Sequence, residues 1–263
     1  MDDRLRQLQL AELGILDEFI RVCEKHGLQY FLTGGTLLGA IRHQGFIPWD
    51  DDIDVAMPLK DYLRLLSLRD EFGPGYRLDS EALDEECPYN YSKLYDRSLV
   101  FDPTPGYGPP EIYIDIYPIL PSRSPGKAAR LCMNLISVMG YALQVKCGWD
   151  RYEPYKNKSA AFAYSVFRRL SAKQLRSLRR RFTRWLTSEG TGYAFSPGGK
   201  YGEKEIFPSD WFTCAHTAEF ESRVCSVPAD WDGFLRQHYG EYETLPDESG
   251  SARADKGCRH VQG

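Results

Sequence analysis

The chain has 263 residues, of which 42% are hydrophobic, 27% charged and 13% aromatic, with a formal net charge of −4. That composition supports a sizeable buried core, in one large domain or a catalytic domain with an appendage, and excludes wholesale disorder. The small net charge creates no overall field for a polyanion, so nucleic acid is not an expected partner.

Residues 2–26 place Leu5, Leu8, Ala11, Leu13, Leu16, Phe19, Ile20 and Cys23 at helical spacing, and Gly27 supplies a stop. An apolar strand is expected at 28–33, broken by Gly34-Gly35, with a short helix over 36–43 and a turn at Gly45 and Pro48. Residues 52–57 begin with acidic and apolar residues in alternation. Strand periodicity then sets Asp52 and Asp54 on one face, with Ile53 and Val55 towards the core and Asp51 facing away. Pro58 opens a helix to about 69. Strands are expected at 76–79, 91–95, 99–101 and 111–117, the last alternating Ile112, Ile114 and Ile116 with Tyr113, Asp115 and Tyr117. Beyond Pro125 the pattern turns helical, over 126–147 and 159–188. A glycine-rich stretch follows at 191–205, then a short helix at 234–239 and a loose polar tail. The apolar run 131–145 is interrupted by Asn134, Ser137, Gly140 and Gln144, and reads as a buried helix rather than a membrane span.

Seven cysteines occur in no C-x-x-C pair and in odd number, which argues against a zinc site or a disulfide framework. The N-terminus lacks the basic and apolar regions of a signal peptide. A reducing cytoplasm is the expected location. Between Pro154 and Ser188 there are ten Lys or Arg and no acid. A solvated helical face explains this. So does a peripheral contact, through 156–184, with anionic membrane or a lipid-linked acceptor.

Two carboxylates on one strand face repel each other, and a divalent cation resolves the repulsion. Hard ions such as Mg²⁺ take a few carboxylates together with substrate phosphates. A bare D-x-D also fits a solvated acidic turn. A calcium loop fits poorly, because Val55 stands where the loop needs glycine. Gly34-Gly35 before a helix allows a phosphate to approach backbone N–H groups, though a tight turn uses the same residues. Asp115 is a candidate third acid from a neighbouring strand.

The run FLTGGTLLGAIRHQGFIPWDDDID at 31–54 closely resembles the LicD family, which includes bacterial phosphorylcholine transferases and is related to the fukutin-type phosphotransferases. Later blocks extend the resemblance over about residues 10–247: SKLYD at 92–96, YIDIYP at 113–118, YGEKE at 201–205, VPADW at 227–231 and YGEY at 239–242. The segment 212–220 departs from the family pattern.

The resemblance implies an α/β (α+β, mixed-sheet) nucleotidyltransferase-like core over 1–122. A helical and loop-rich part at 123–250, expected on the acceptor side, would pack on it, ahead of a loose tail at 251–263. It implies Mg²⁺, or Mn²⁺, at Asp52, Asp54 and Asp115, the same three being the catalytic acids. Asp50 would assist. Gly34, Gly35, Thr36, Arg42 and Lys93 would contact substrate. The implied donor is CDP-choline or a similar CDP-alcohol. The implied acceptor is a hydroxyl of a cell-surface glycan, a lipid-linked glycan or a teichoic acid precursor. Choline would need aromatic neighbours, for which Tyr89, Tyr91, Tyr107, Trp149 and Tyr152 are candidates. Two rivals stand beside this reading: a nucleotidyltransferase that moves the NMP half, and a non-catalytic, metal-stabilised carbohydrate-binding module.

Overall fold

The computed structural model describes residues 3–85, 87–100, 111–147 and 158–244. Helix α1 (Asp3–His26) buries Leu8, Leu13, Ile15, Leu16, Phe19, Val22 and Cys23 along one side. Gly27 stops it in the left-handed region (φ 63°), and the next amide, Leu28 N–H, donates to the Cys23 carbonyl. The strand expected at 28–33 shortens to β1 (Phe31–Leu32), because Gly34 already opens helix α2 (Gly34–His43). Strand β2 (Asp54–Pro58) leads into α3 (Leu59–Ser67). Strand β3 (Tyr76–Ser80) is followed by β4 (Ser92–Val100), which unites two strands expected separately across an irregularity between Asp96 and Val100.

Strand β5 (Glu111–Ser122) is the spine of a mixed sheet. The order is β1-β2-β5-β4-β3, with β2 parallel to β5 and the other pairs antiparallel. The β4 ladder ends at Ser92 opposite Ile116. Beyond it come Pro118 and Pro121, which carry no N–H for a ladder. Here β6 (Tyr193–Phe195) pairs with Leu120–Ser122, and β7 (Ile206–Pro208) pairs with β6. The glycine-rich stretch thus holds one short strand, and a second follows directly after it, neither announced by the local pattern.

Helix α4 (Lys127–Lys146) packs with α5 (Lys158–Phe167) and α6 (Ala172–Leu186) around a second core built on Met133, Ile136, Met139, Leu143 and Leu175. The single helix expected over 159–188 is two. Ser171 accepts from the Gln174 N–H and Gln174 Oε1 accepts from the Ser171 N–H, a reciprocal cap that starts a new helix. Among the described residues, α4 has the length and apolar composition to cross a membrane, and it carries much of this core. The hairpin β8 (Ala215–Phe220) and β9 (Arg223–Pro228) and helix α7 (Trp231–Tyr239) return to the first core, where Phe220, Val227, Phe234 and Leu235 join residues of β1, β2 and β5. The first core therefore draws on both ends of the described chain. The second is inserted between them.

Candidate active site

Adjacent strands bring three charged side chains abreast. Asp54 on β2 pairs with Asp115 on β5, and Asp115 pairs with Lys93 on β4. Side chains at paired positions share a face, so register alone builds a row Asp54, Asp115, Lys93. Lys93 Nζ donates to Asp115 Oδ1 at 2.5 Å, and both side chains are buried. Its ammonium lies 3.5 Å from the ring centroid of Tyr113, 4.9 Å from that of Tyr89 and 5.3 Å from that of Tyr91. Tyr117 OH donates to the other Asp115 oxygen at 3.3 Å.

Asp52 precedes β2 rather than lying on it. The reason is a turn that closes when Asp50 N–H donates to the Ile47 carbonyl, while Gln9 of α1 donates to the Asp50 carbonyl at 2.9 Å. The turn cancels the alternation expected for 51–54. One carboxylate oxygen from each of Asp50, Asp51 and Asp52 falls within 4.8 Å of the others, so Asp51 does not face away. Asp50 and Asp51 are buried.

Helix α2 begins against this cluster. Gly34 has φ 56°, and a Cβ there would lie 2.7 Å from Asp54 Oδ2; a Cβ on Gly35 would lie 2.7 Å from Asp50 Oδ2. The two glycines therefore leave space for two carboxylates beside the positive end of the helix. Burial raises the Asp54 carboxyl well above the ordinary carboxylate range. Asp52, Asp115 and Asp50 add to the effect, and Lys200 opposes it. Asp54 Oδ1 is buried with no hydrogen-bond partner among the described residues.

All this opens on a cleft of about 240 Å³ lined by Gly34, Gly35, Asp52, Asp54, Lys93 and Asp115 on one wall. A second group of lining residues, from the β6–β7 connection and α7, comprises Ser196, Gly198, Gly199, Lys200, Tyr201, Glu205, His238 and Tyr239. His238 Nδ1–H donates to the Phe234 carbonyl at 2.9 Å, and its Nε2 lies 3.6 Å from Glu205 Oε2, with both side chains buried. Lys200 lines the cleft and is exposed to solvent. Burial lowers its pKa, but Tyr201, Asp52, Asp54 and Asp50 outweigh that and raise it overall.

Residues 27–124 match the family model described as LicD/FKTN/FKRP, nucleotidyltransferase domain. The lipopolysaccharide cholinephosphotransferase LicD of Haemophilus influenzae is 30% identical over 98% of this chain and 96% of its own. The chain belongs to the LicD family. Shorter similarity joins it to the ribitol 5-phosphate transferases FKRP of Mus musculus and Homo sapiens, each 50% identical over 42 residues, 16% of this chain and 8% of theirs. The protein is accordingly an enzyme, a phosphotransferase of the LicD type.

In this LicD-family enzyme the structure gathers Gly34, Gly35, Asp52, Asp54, Lys93 and Asp115 around one cleft. Two residues expected there are elsewhere. Thr36 is buried beneath the site, where its Oγ1 accepts the Asp54 N–H at 2.8 Å, so it anchors β2 to α2. Arg42 does not line the cleft; its guanidinium donates to the Tyr242 carbonyl at 2.8 Å. Of the candidate choline aromatics, Tyr89 and Tyr91 enclose Lys93. Tyr107, Trp149 and Tyr152 lie outside the described residues. Sequence reasoning missed Lys200, Glu205 and His238. The first two lie in or beside the glycine-rich stretch, whose composition was a signal for close approach to a site.

Proposed function

We propose that the enzyme moves phosphocholine, or a similar phosphoalcohol, from a CDP-activated donor to a hydroxyl of a cell-surface glycan, glycolipid or teichoic acid precursor. The observation that carries this is Asp54 and Asp115 abreast in parallel register, with Asp52 lining the same cleft and Asp54 Oδ1 without a hydrogen-bond partner among the described residues. Hard carboxylate oxygens around an unsatisfied buried atom fit Mg²⁺, with Mn²⁺ as the alternative occupant. Asp52, Asp54 and Asp115 would hold the ion, which supplies charge neutralisation for a diphosphate. The relatives support the choice of cargo, since one carries a cholinephosphotransferase name and another a ribitol 5-phosphate transferase name.

The chain's own part is positioning. Gly34 and Gly35 let a phosphate come close to the start of α2. The acceptor hydroxyl attacks the phosphorus next to the alcohol, its oxygen forms the new P–O bond, and CMP leaves with the electron pair of the broken one. Asp115 is held by Lys93 and Tyr117, so its orientation is fixed before substrate arrives, and its carboxylate takes the hydroxyl proton. The test is incubation with Mg²⁺ and a panel of CDP-alcohols, following CMP. Release of pyrophosphate or free phosphocholine in place of CMP overturns the direction of transfer. Carbohydrate binding without turnover supports the non-catalytic rival.

A lipid-linked acceptor suits a second feature. Lys158, Arg168, Arg169, Lys173, Arg180, Arg181 and Arg184 are exposed on or beside α5 and α6, with Phe162 at 72% exposure. We read this surface as a peripheral contact with anionic lipid at the inner face of the membrane, the enzyme itself being cytoplasmic. Salt-sensitive sedimentation with anionic liposomes is the expected result.

A further inference from the structure

We propose that the loop 196–202, in the connection from β6 to β7, clamps the diphosphate of the activated donor, with Lys200 as its charged contact and Ser196 as a supporting hydroxyl. The inference rests on the donor reading above and adds a phosphate contact from the β6–β7 connection.

Three observations converge on this loop. First, it is built for close approach. A Cβ on Gly198 would lie 2.6 Å from Tyr91 Cδ1 and 2.8 Å from Tyr117 Cδ1, and a Cβ on Gly199 would lie 1.9 Å from Glu205 Cδ. Side chains at those positions would collide with Tyr91, Tyr117 and Glu205 and force the loop to shift. Second, Lys200 is the cleft's available ammonium. The other lysine there, Lys93, is committed to Asp115 and to three tyrosine rings. Lys200 makes no ion pair within 4.0 Å among the described residues, yet it lines both the cleft and a smaller chamber of about 20 Å³ beside it, together with Asp52 and Asp54. Third, Ser196 lines the cleft at 7% exposure, and its Oγ has no hydrogen-bond partner among the described residues.

The charge logic is direct. A diphosphate entering a cleft lined by carboxylates is repelled unless positive charge meets it. Lys200 offsets the carboxylates at longer range in this structure. Once those carboxylates are engaged by a divalent ion, their attraction for Lys200 falls, and its ammonium is free to donate to phosphate oxygens. An ammonium–phosphate contact is charge-assisted and strong for a single group.

The experiment is calorimetric titration of the full chain with CDP in the presence of Mg²⁺, using wild type, Lys200→Gln, Lys200→Arg and Ser196→Ala, with a melting curve for each. The expected result is CDP affinity lowered about tenfold or more in Lys200→Gln, largely restored in Lys200→Arg and lowered several-fold in Ser196→Ala. Melting temperatures should be nearly unchanged in the Lys200 variants, because that side chain is at the surface. Wild-type affinity in Lys200→Gln overturns the clamp while leaving the donor reading intact. So does a loss that Lys200→Arg fails to restore. Absence of CDP binding by the wild type overturns the donor reading itself, and the clamp falls with it.

Discussion

The two walls of the cleft handle charge in opposite ways. On the sheet wall, Asp54, Asp115 and Lys93 sit on three neighbouring strands at one register level, and Lys93 is buried against Asp115. On the loop wall, Lys200 is carried by a glycine-rich connection, is reached by solvent and has no carboxylate within ion-pair distance among the described residues. The same residue type therefore has two jobs. A lysine fixed by a strand ladder orients a carboxylate and is costly to remove; a lysine on a loop is cheap to remove and available to a ligand.

The largest effect is expected at the centre of the sheet wall. Asp54→Asn should lower turnover about a thousandfold or more, the scale seen when one preorganised electrostatic group is lost. Its stability should stay level or rise above the acid range, because the replaced carboxyl is buried among other acids. The sign follows from linkage. Burial, Asp52 and Asp115 raise the folded-state pKa of Asp54 above its unfolded value, so the folded protein holds that proton more tightly. The contribution is fully present below the unfolded carboxylate pKa and is lost as pH rises through the elevated one. Melting of the metal-free wild type should therefore decline with rising pH relative to Asp54→Asn. Added Mg²⁺ should recover the difference more at neutral pH than at acid pH. An Asp54→Asn protein that keeps full CMP release removes Asp54 from the chemistry.

The contrast between the lysines is next. Lys93→Met leaves Asp115 buried without its cation and should cost roughly 3–5 kcal/mol in a urea melt. Adding Asp115→Asn should return part of that. Lys200→Gln should stay within about 0.5 kcal/mol of wild type, as surface substitutions usually do. Equal destabilisation by the two would erase the distinction between the walls. Arg179 on α6 is a check on the first half of it. It is 1% exposed and donates to Glu81 and to the Pro88 carbonyl, so Arg179→Ala should cost a similar amount without touching the cleft.

The same contrast explains what could be read in advance. Asp115 was legible because its strand alternates with apolar residues, Asp54 because it stands between Ile53 and Val55, and Gly34-Gly35 because a glycine pair before a helix suits phosphate approach as well as a tight turn. Asp52 reaches the cleft as expected, but from a turn before the strand, and Asp51 does not face away, because Gln9 and Ile47 hold a turn across 47–50 and no periodicity reports a tertiary hydrogen bond. Lys93 could be named but not its role, since its partner depends on the register between β4 and β5. Lys200 and Glu205 reach the cleft because β6 takes the edge of β5 that β4 vacates, a pairing across some seventy residues that leaves a local trace in the glycines alone, and His238 arrives on α7. The break between α5 and α6 did have a local sign: Ser171 and Gln174 stand at capping-box spacing inside a long amphipathic run.

The smallest expected effect lies outside both walls and tests whether they can be treated apart from the rest. The β8–β9 turn places Glu221 (φ 51°) and Ser222 (φ 64°) in the left-handed region, where neither residue type is favoured. Glu221 is recruited to that conformation by contacts: its carboxylate receives Arg6 at 2.7 Å and the Phe46 N–H at 3.3 Å. Ser222 makes no side-chain hydrogen bond among the described residues to offset its strain. Ser222→Gly should therefore relieve it and raise stability by up to about 1 kcal/mol, read as a rise of a few degrees in melting temperature. Glu221→Gln should lower stability, because Arg6 holds that carboxyl below its usual range and the stabilisation it gives is present above the unfolded pKa and lost as pH falls. Neither variant should change CMP release. A change in turnover from Ser222→Gly would mean that the hairpin, packed against α2, sets the position of Gly34 and Gly35, and that the sheet wall is less self-contained than its strand register makes it.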